Sequence, residues 1–348
     1  MTHLLALSLL AVASVLPASL CLSPPPTRTS PPAGALVVRP TPSSGEFGSL
    51  IDAVAALPSG KSAETIFIFP GTYEGQVSIQ RSGPVTLLGY STHPGNVSAN
   101  TVTLVDSIPA SAVGGSNDLS GTLRIHTDNV SVYNLNVRND FGPGSQAIAD
   151  TLLANQGTQV YLQGYIEGAT DFIFGRLGQA YFEGNTLAVS SAGYVTASGR
   201  EADNEAICAF PSCPHCAHDI DRAIRDVAAD VFNANSVIAA PAPRPTPAGA
   251  PTSPALGRYM PADYARVIFK STTVTLPLNA AIWSEWDGSS DTANVFFAEF
   301  NTTGSGIPAN AKRPSFATVL TAEQAGTYDV AAAVGSDWAG WVDADYML

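Results

Sequence analysis

The chain has 348 residues, of which 45% are hydrophobic, a formal net charge of −13 and a pI near 4.6. This acidic balance excludes the usual nucleic-acid and anionic-membrane partners, because both bind to basic surfaces. Length alone permits one large domain or two, and only a repeat period can favour a single solenoid.

The N-terminal region has the composition of a secretory leader. Residues 1–22 have a short apolar core followed by small residues, which predicts a cleaved signal peptide, and the core is too short for a membrane-spanning helix. Residues 23–44 are rich in Pro, Ser and Thr and predict a flexible or O-glycosylated linker. Three sequons, at Asn96, Asn129 and Asn301, fit an extracellular surface. We therefore expect a secreted, extracellular protein.

The remainder, residues 45–348, predicts one solenoid domain. Residues 47–57 have apolar residues at three- and four-residue spacing and predict a short helix that caps the N-terminal end of the solenoid. Short segments rich in Val, Ile, Thr and Phe follow, separated by Gly, Asn and Asp, and no long helical segment intervenes. The pattern predicts an all-β fold, a right-handed parallel β-helix. The segments are 65–69, 85–88, 101–105, 122–126, 130–137, 160–166, 172–174 and 181–189.

An atypical insertion is expected at about 202–255. Its first part contains Cys208, Cys213 and Cys216 with His215 and His218, and its last part is dominated by Pro, Ala and Thr. The cysteine spacing is cramped for zinc, so a local disulfide with one spare thiol is favoured in a secreted chain. A third interpretation is an error in the predicted gene. We expect no metal site.

Two aspartates form the strongest chemical signal. Asp171 follows an apolar, strand-like run within residues 165–175, and Asp150 opens a second such segment 21 residues earlier. This spacing is about the length of one β-helix turn, which would stack the two carboxyl groups roughly 5 Å apart. Stacked carboxyl groups split their pKa values, so one can ionise as a nucleophile while the other remains an acid. On spacing alone, two aspartates that cap turns are an equal alternative.

Seven motifs in order add a family resemblance, from about Gly45 to the C-terminus. They are PGTYE at 70–74, GSQAIA at 144–149, DTLL at 150–153, GATDFIFG at 168–175, TASGR at 196–200, LGR at 256–258 and WSEW at 283–286. With these motifs the chain resembles the pectin methylesterases, or pectinesterases, particularly the secreted fungal type. The resemblance implies the same β-helix and hydrolysis of galacturonate methyl esters in pectin, which yields methanol and an acidic polysaccharide. A neutral, methylated polymer also suits an acidic surface.

The resemblance implies roles for four residues of this chain. Asp171 matches the nucleophile, and Arg258 matches an arginine whose bidentate pairing would lower the pKa of Asp171. Asp150 matches the acid/base, and Gln146 matches the glutamine that stabilises the oxyanion. The alternatives are a surface loop position for Arg258 and an amide stack for Gln146.

Substrate contacts are expected from aromatic residues. Trp283 matches a substrate-binding tryptophan, because aromatic faces pack on the apolar faces of sugars. Tyr259 and Met260 stand where the family places a Pro-Trp pair after its arginine, and either could substitute there. No motif for a phosphate, nucleotide or metal cofactor is present, and none is needed; we expect a monomer.

One departure from the family bears on activity. Gln146 and Asp150 are four residues apart, whereas the family separates these positions by about one further β-helix turn. Along an extended strand, four residues span roughly 13 Å, so Gln146 would be displaced from the oxyanion position. We expect weakened activity. The alternatives are a catalytically inactive pectin-binding β-helix and a glycosidase that uses the two aspartates as acid and base.

Overall fold

The structure, a computed structural model, describes residues 27–141, 150–200, 230–242, 254–259, 264–285 and 292–348. Short strands dominate these residues. The strands are β1 Leu36–Val38, β2 Glu64–Ile68, β3 Gly71–Glu74, β4 Val77–Ile79, β5 Val85–Gly89, β6 Val102–Asp106, β7 Leu123–His126, β8 Val130–Tyr133, β9 Asn136–Asn139, β10 Leu152–Leu162, β11 Tyr165–Gly168, β12 Ile173–Gly175, β13 Leu177–Glu183, β14 Thr186–Val189, β15 Tyr194–Ser198, β16 Asp230–Asn233, β17 Ser236–Ala239, β18 Ala255–Tyr259, β19 Arg266–Lys270, β20 Thr273–Val274, β21 Trp283–Ser284, β22 Phe296–Phe300 and β23 Ala317–Val319.

The helices are few and short. The α-helices are Leu50–Ala55, Asn117–Ser120, Ala322–Gly326 and Val330–Val334, and the 3₁₀ helices are Val97–Ala99, Ala110–Val113, Trp338–Gly340 and Ala344–Tyr346. Among the residues described, no helix has the length and apolar character needed to cross a membrane.

The strands stack in parallel into three faces. Face A has the order β1-β2-β5-β8-β10-β13-β16-β19-β22-β23, and face B the order β3-β6-β9-β11-β14-β17-β20. Face C is β4-β7-β10-β12-β15-β18-β21, and the long β10 contributes its first residues to face C and its last to face A. The predicted right-handed parallel β-helix is confirmed.

The interior is filled because alternate strand residues point inward. Tyr161, Phe182, Phe232 and Phe269 form a column of nearly parallel rings, with centroids 4.7, 4.4 and 4.4 Å apart. At the N-terminal end, the helix Leu50–Ala55 buries Leu50 and Ala53 against this interior. The predicted capping helix is therefore present but shorter than 47–57.

Face A is covered on its outside by the C-terminal segment. Ala325, Val334 and Tyr346 join an apolar cluster with Tyr133 and Tyr181, which point outward from face A. Face C carries the candidate site.

Two boundaries differ from expectation. Within the predicted linker 23–44, Leu36–Val38 forms β1 and pairs with β2, which extends face A and covers an otherwise open strand edge. Within the predicted insertion 202–255, residues 230–242 supply β16 and β17, which continue faces A and B. The predicted signal peptide, residues 1–22, and all the cysteines lie outside the described residues.

Candidate active site

The two aspartates lie on adjacent turns of face C. Leu152 pairs in register with Ile173, so Asp150 and Asp171 each precede a paired position by two residues. The one-turn spacing predicted from the sequence is thus confirmed. Both side chains are buried, with 0% exposure. The Asn139 side-chain amide donates to the Asp150 carbonyl oxygen over 3.2 Å and fixes the backbone there.

Asp171 is held in an unusual backbone conformation. Its φ is +53°, in the left-handed region, which costs a non-glycine residue about 1–2 kcal/mol. Its main-chain N–H donates to the carbonyl of Tyr194 over 2.9 Å. The loop also needs Gly168, because a Cβ there would lie 2.2 Å from the Cβ of Phe172. Strain of this kind persists only where the surroundings enforce it.

Arg258 pairs with Asp171 as the motifs imply. Its Nε lies 2.9 Å from Oδ1 and 3.0 Å from Oδ2, and its Nη2 also donates to Oδ2. The guanidinium side chain is 14% exposed, and its carbon lies 4.7 Å from the ring centre of Tyr194. The ion pair is therefore largely removed from water, and the Arg258 guanidinium is held by both the Asp171 carboxylate and the Tyr194 ring.

The two carboxyl groups differ in their electrostatics. Burial raises the pKa of Asp171, and the Arg258 charge opposes that rise without overcoming it. The expected lowering by Arg258 is present, but removing the carboxylate from water outweighs the ion pair, so the pKa of Asp171 is raised on balance. Burial raises the pKa of Asp150 well above its usual value, and the charges of Asp171 and Asp118 raise it further.

Asp150 differs further in its lack of partners. Neither carboxyl oxygen has a hydrogen-bond partner among the residues described. A buried carboxyl group without a cation or donors stays protonated, whereas Asp171 has Arg258 to stabilise its charge. The arrangement therefore supplies one acid and one potential nucleophile side by side.

A cavity of about 270 Å³ opens on the same face. Leu153 and Phe174, three residues after the two aspartates, form part of its wall, and Arg176 lies beside them. Asp118 also lines the cavity and hydrogen-bonds to His126 over 3.1 Å. Sequence analysis missed Asp118, Arg176 and Tyr194, because each belongs to no short motif and joins the site only through folding.

The predicted substrate contacts fare differently. Trp283 is 1% exposed, its Nε1–H donates to Glu299 over 2.9 Å, and its ring lies 4.5 Å from that of Phe297. Its faces are covered by interior residues, which argues against the predicted contact between Trp283 and a sugar. The physical reason is strand alternation: Trp283 pairs with Gly257, and a Cβ on that glycine would lie 3.1 Å from the indole.

The other predicted residues are only partly observed. The backbone of Tyr259 ends β18 in register with Ser198. Gln146 and Met260 lie outside the described residues. The stacking of β10 on β7 is direct, with Leu152 paired to Leu123, so the turns on either side of residues 142–149 meet without an intervening strand.

Together, the fold and the site define a parallel β-helix protein with an arginine-paired aspartate beside a second buried carboxyl group. The chain is 33% identical over 347 residues to a pectinesterase of Aspergillus aculeatus, covering 92% of this chain and 95% of the relative. It is 32% identical over 366 residues to a probable pectinesterase A of Aspergillus flavus, covering 99% and 97%. No protein-family profile matches. The chain belongs to the pectinesterase family of carboxylic ester hydrolases.

Solved structures agree with this assignment. The pectin methylesterase of Aspergillus niger aligns with a TM-score of 0.68 and 29% identity, covering 92% of this chain and all of that one. The carrot pectin methylesterase aligns with a TM-score of 0.62 at 20% identity, which is a likeness of fold alone.

Proposed function

We propose that this chain hydrolyses the methyl esters of galacturonate units in pectin. The observation that carries the proposal is the buried Asp171, paired with Arg258 and placed one turn from Asp150, whose carboxyl oxygens have no hydrogen-bond partner in the part of the chain that the structure describes. A carboxylate and a carboxylic acid at adjacent positions are the two groups that ester hydrolysis through an acyl-enzyme requires.

The first half of the reaction forms the acyl-enzyme. The Asp171 carboxylate attacks the ester carbonyl carbon, and the protonated Asp150 donates its proton to the methoxy oxygen. The carbon–methoxy bond breaks, methanol leaves, and an anhydride joins Asp171 to the galacturonate carbonyl. Before this step, Arg258 orients the oxygens of the Asp171 carboxylate and stabilises its ionised form.

The second half restores both groups. Asp150, now ionised, takes a proton from a water molecule that attacks the anhydride. The bond to Asp171 breaks, which returns Asp171 to its ionised form and releases galacturonic acid, whose remaining water-derived proton passes to the solvent to leave a galacturonate carboxylate. The raised pKa of Asp150 suits both its acid and its base role.

The proposal includes weakened activity. Gln146 and Asp150 are four residues apart in the sequence, whereas the family separates them by about one further turn, which would displace Gln146 from the oxyanion position. Losing one oxyanion donor costs about 10²–10³ in rate. Inserting a family-like turn between Ala149 and Asp150 is expected to recover part or all of that loss.

The setting of the reaction is also proposed. The leader-like residues 1–22 and the fungal relatives support secretion, and the net charge of −13 favours a neutral, highly methylated polymer over a polyanionic one. We propose a monomer that acts outside the cell on methyl-esterified homogalacturonan.

The test measures methanol and new reducing ends released from methylated pectin by the purified chain. Methanol without reducing ends is expected. Reducing ends would favour the glycosidase alternative, and pectin binding without either product would favour an inactive binding protein. Activity at ordinary esterase levels without the inserted turn would contradict the weakening.

A further inference from the structure

We propose that Tyr194 is a positioning residue for the nucleophile, acting through Arg258. This inference rests on the proposed function for its kinetic consequences but not for its structural ones. Two contacts join Tyr194 to the Asp171–Arg258 pair, a third holds its ring against Ser284, and no motif or chemical step assigns it a role.

The first contact is through the backbone. The Tyr194 carbonyl accepts the Asp171 N–H over 2.9 Å at the residue where φ is +53°. This bond helps to enforce the left-handed conformation that points the Asp171 carboxylate toward Arg258. Because it uses only main-chain atoms, substitutions of the Tyr194 side chain leave it in place.

The second contact is through the ring. The guanidinium carbon of Arg258 lies 4.7 Å from the Tyr194 ring centre, within the range of a cation–π interaction. Arg258 therefore has the carboxylate on one side and an aromatic face on another. A planar guanidinium held in this way loses the freedom to swing out of the bidentate geometry.

The third contact fixes the ring itself. The Tyr194 hydroxyl lies 3.3 Å from Ser284 Oγ, and Ser284 is the register partner of Arg258 on β21. The side chain thus reaches from β15 past β18, the strand that carries Arg258, to the next strand of face C. At 7% exposure the ring has little room to move.

The consequence is electrostatic. Burial raises the pKa of Asp171, and Arg258 is the group that opposes this rise. If the ring no longer holds Arg258, the guanidinium spends less time in contact and the Asp171 pKa rises further. A larger fraction of the nucleophile is then protonated at acid pH, and its ionised form is less well aimed.

The experiment compares three single variants with the wild type. Tyr194→Leu removes the ring, Tyr194→Phe keeps the ring without the hydroxyl, and Ser284→Ala removes the partner of that hydroxyl.

For Tyr194→Leu we expect kcat to fall on the order of tenfold, from the loss of one desolvated cation–π contact. We expect little change in KM and an upward shift of the acidic limb of the pH–kcat profile. Tyr194→Phe and Ser284→Ala loosen the ring only at its hydroxyl and keep its face against Arg258, so both should remain within about threefold of the wild type, with the acidic limb unmoved.

A second readout does not depend on activity. The Asp171 carboxyl carbon is titrated by NMR in the wild type and in Tyr194→Leu, with Asp171→Asn used to assign the signal. We expect a higher pKa in Tyr194→Leu and an unchanged one in Tyr194→Phe. In the wild type alone, the Arg258 side-chain protons should show the upfield shift of groups above an aromatic ring, which tests the geometry even if Tyr194→Leu does not fold.

The outcomes separate the two proposals. A wild type that releases no methanol, with the NMR differences present, overturns the proposed function and leaves the positioning role standing. An active wild type overturns the positioning role if Tyr194→Leu keeps both kcat and the Asp171 pKa, or if Tyr194→Phe loses as much as Tyr194→Leu. Unshifted Arg258 protons would overturn it as well.

Discussion

Buried carboxyl groups occur in two contrasting surroundings in this β-helix. At its C-terminal end, Glu299 is 2% exposed and accepts from Trp283 Nε1 at 2.9 Å and from Arg313 at 3.0 and 3.1 Å. On the outside of face A, Glu183 is also 2% exposed and accepts from the Tyr181 hydroxyl, the Asn233 amide and the main-chain N–H of Leu348. Both oxygens of each of these two carboxylates accept hydrogen bonds.

Among the described residues, the two carboxyl groups on face C have fewer hydrogen-bond partners. Asp171 has the Arg258 ion pair on a strained backbone, and Asp150 has no hydrogen-bond partner in the described part of the chain. Donors that occupy every carboxylate oxygen stabilise a fold, because they replace the water lost on burial. The open oxygens of Asp150 can exchange a proton, and Asp171, on its strained backbone, differs from Glu299 and Glu183 because a single arginine holds its charge. The comparison therefore distinguishes structural from chemical carboxyl groups within one molecule.

The sharpest test of this comparison is Asp171→Asn. Amide and carboxylate are nearly isosteric, so the fold should persist, whereas the amide oxygen is a poor nucleophile. We expect methanol release to fall at least about 10³-fold, measured on methylated pectin with circular dichroism as the check on folding. Glu183→Gln is the matched control, because it changes a structural carboxylate in the same way and should keep the wild-type rate. More than a tenth of the wild-type activity in Asp171→Asn would contradict the nucleophile role.

Asp150→Asn is expected to have the next largest effect. Losing the general acid should lower kcat by about 10²–10⁴-fold, measured under saturating substrate. A rate within tenfold of the wild type would remove Asp150 from the mechanism.

The same variant makes a stability prediction with a definite sign. The pKa of Asp150 is raised in the folded state, so the wild type loses stability as the pH rises from the unfolded value of about 3.9 through the folded value. Asparagine has no such titration. The free energy of unfolding of the variant relative to the wild type should therefore increase from pH 4 to pH 7 in urea titrations. Parallel curves at the two pH values would contradict the raised pKa.

Glu299→Ala tests the structural side of the comparison. It leaves Arg313 and the Trp283 N–H without their shared partner, and breaking a buried pair in this way costs about 3–5 kcal/mol. Urea unfolding should show this loss, while kcat per folded molecule stays at the wild-type value below the unfolding temperature. A change in kcat without a change in stability would place Glu299 among the chemical groups instead.

Trp283→Phe is the mildest change. It keeps an aromatic ring in the interior and removes one hydrogen bond to Glu299, with an expected cost of about 1–2 kcal/mol in urea unfolding. The KM for pectin should not change, because the ring faces Phe297 and not the solvent. A severalfold rise in KM would show that Trp283 contributes to substrate binding.

Much of this molecule could be predicted without coordinates, and the reason is repetition. Each β-helix turn contacts mainly its neighbours, so a period in the sequence becomes a distance in space. The 21-residue interval between Asp150 and Asp171 is the clearest case, since it reappears in the register of Leu152 with Ile173. The pairing of Arg258 with Asp171 was likewise expected, from motifs and not from spacing.

Other features were beyond that reasoning. The inward direction of Trp283 depends on strand parity, and a single residue more or less in the preceding turn would reverse it. The Pro/Ser/Thr-rich composition of residues 23–44 concealed β1, because Leu36–Val38 is only three residues long and becomes a strand by pairing with the edge of β2.

The sequence by itself determined the parallel β-helix, the one-turn interval between the two aspartates and the identity of Asp171, Asp150 and Arg258 as candidates. Only the tertiary structure decided that Asp150 is left without a hydrogen-bond partner in the described chain, that burial outweighs Arg258 at Asp171, and that Tyr194 lies against that arginine. Periodicity fixes which residues share a face, because it acts between neighbouring turns. Desolvation and ring contacts depend on every group packed around a side chain, and for Tyr194 those groups are separated by up to 90 residues along the chain.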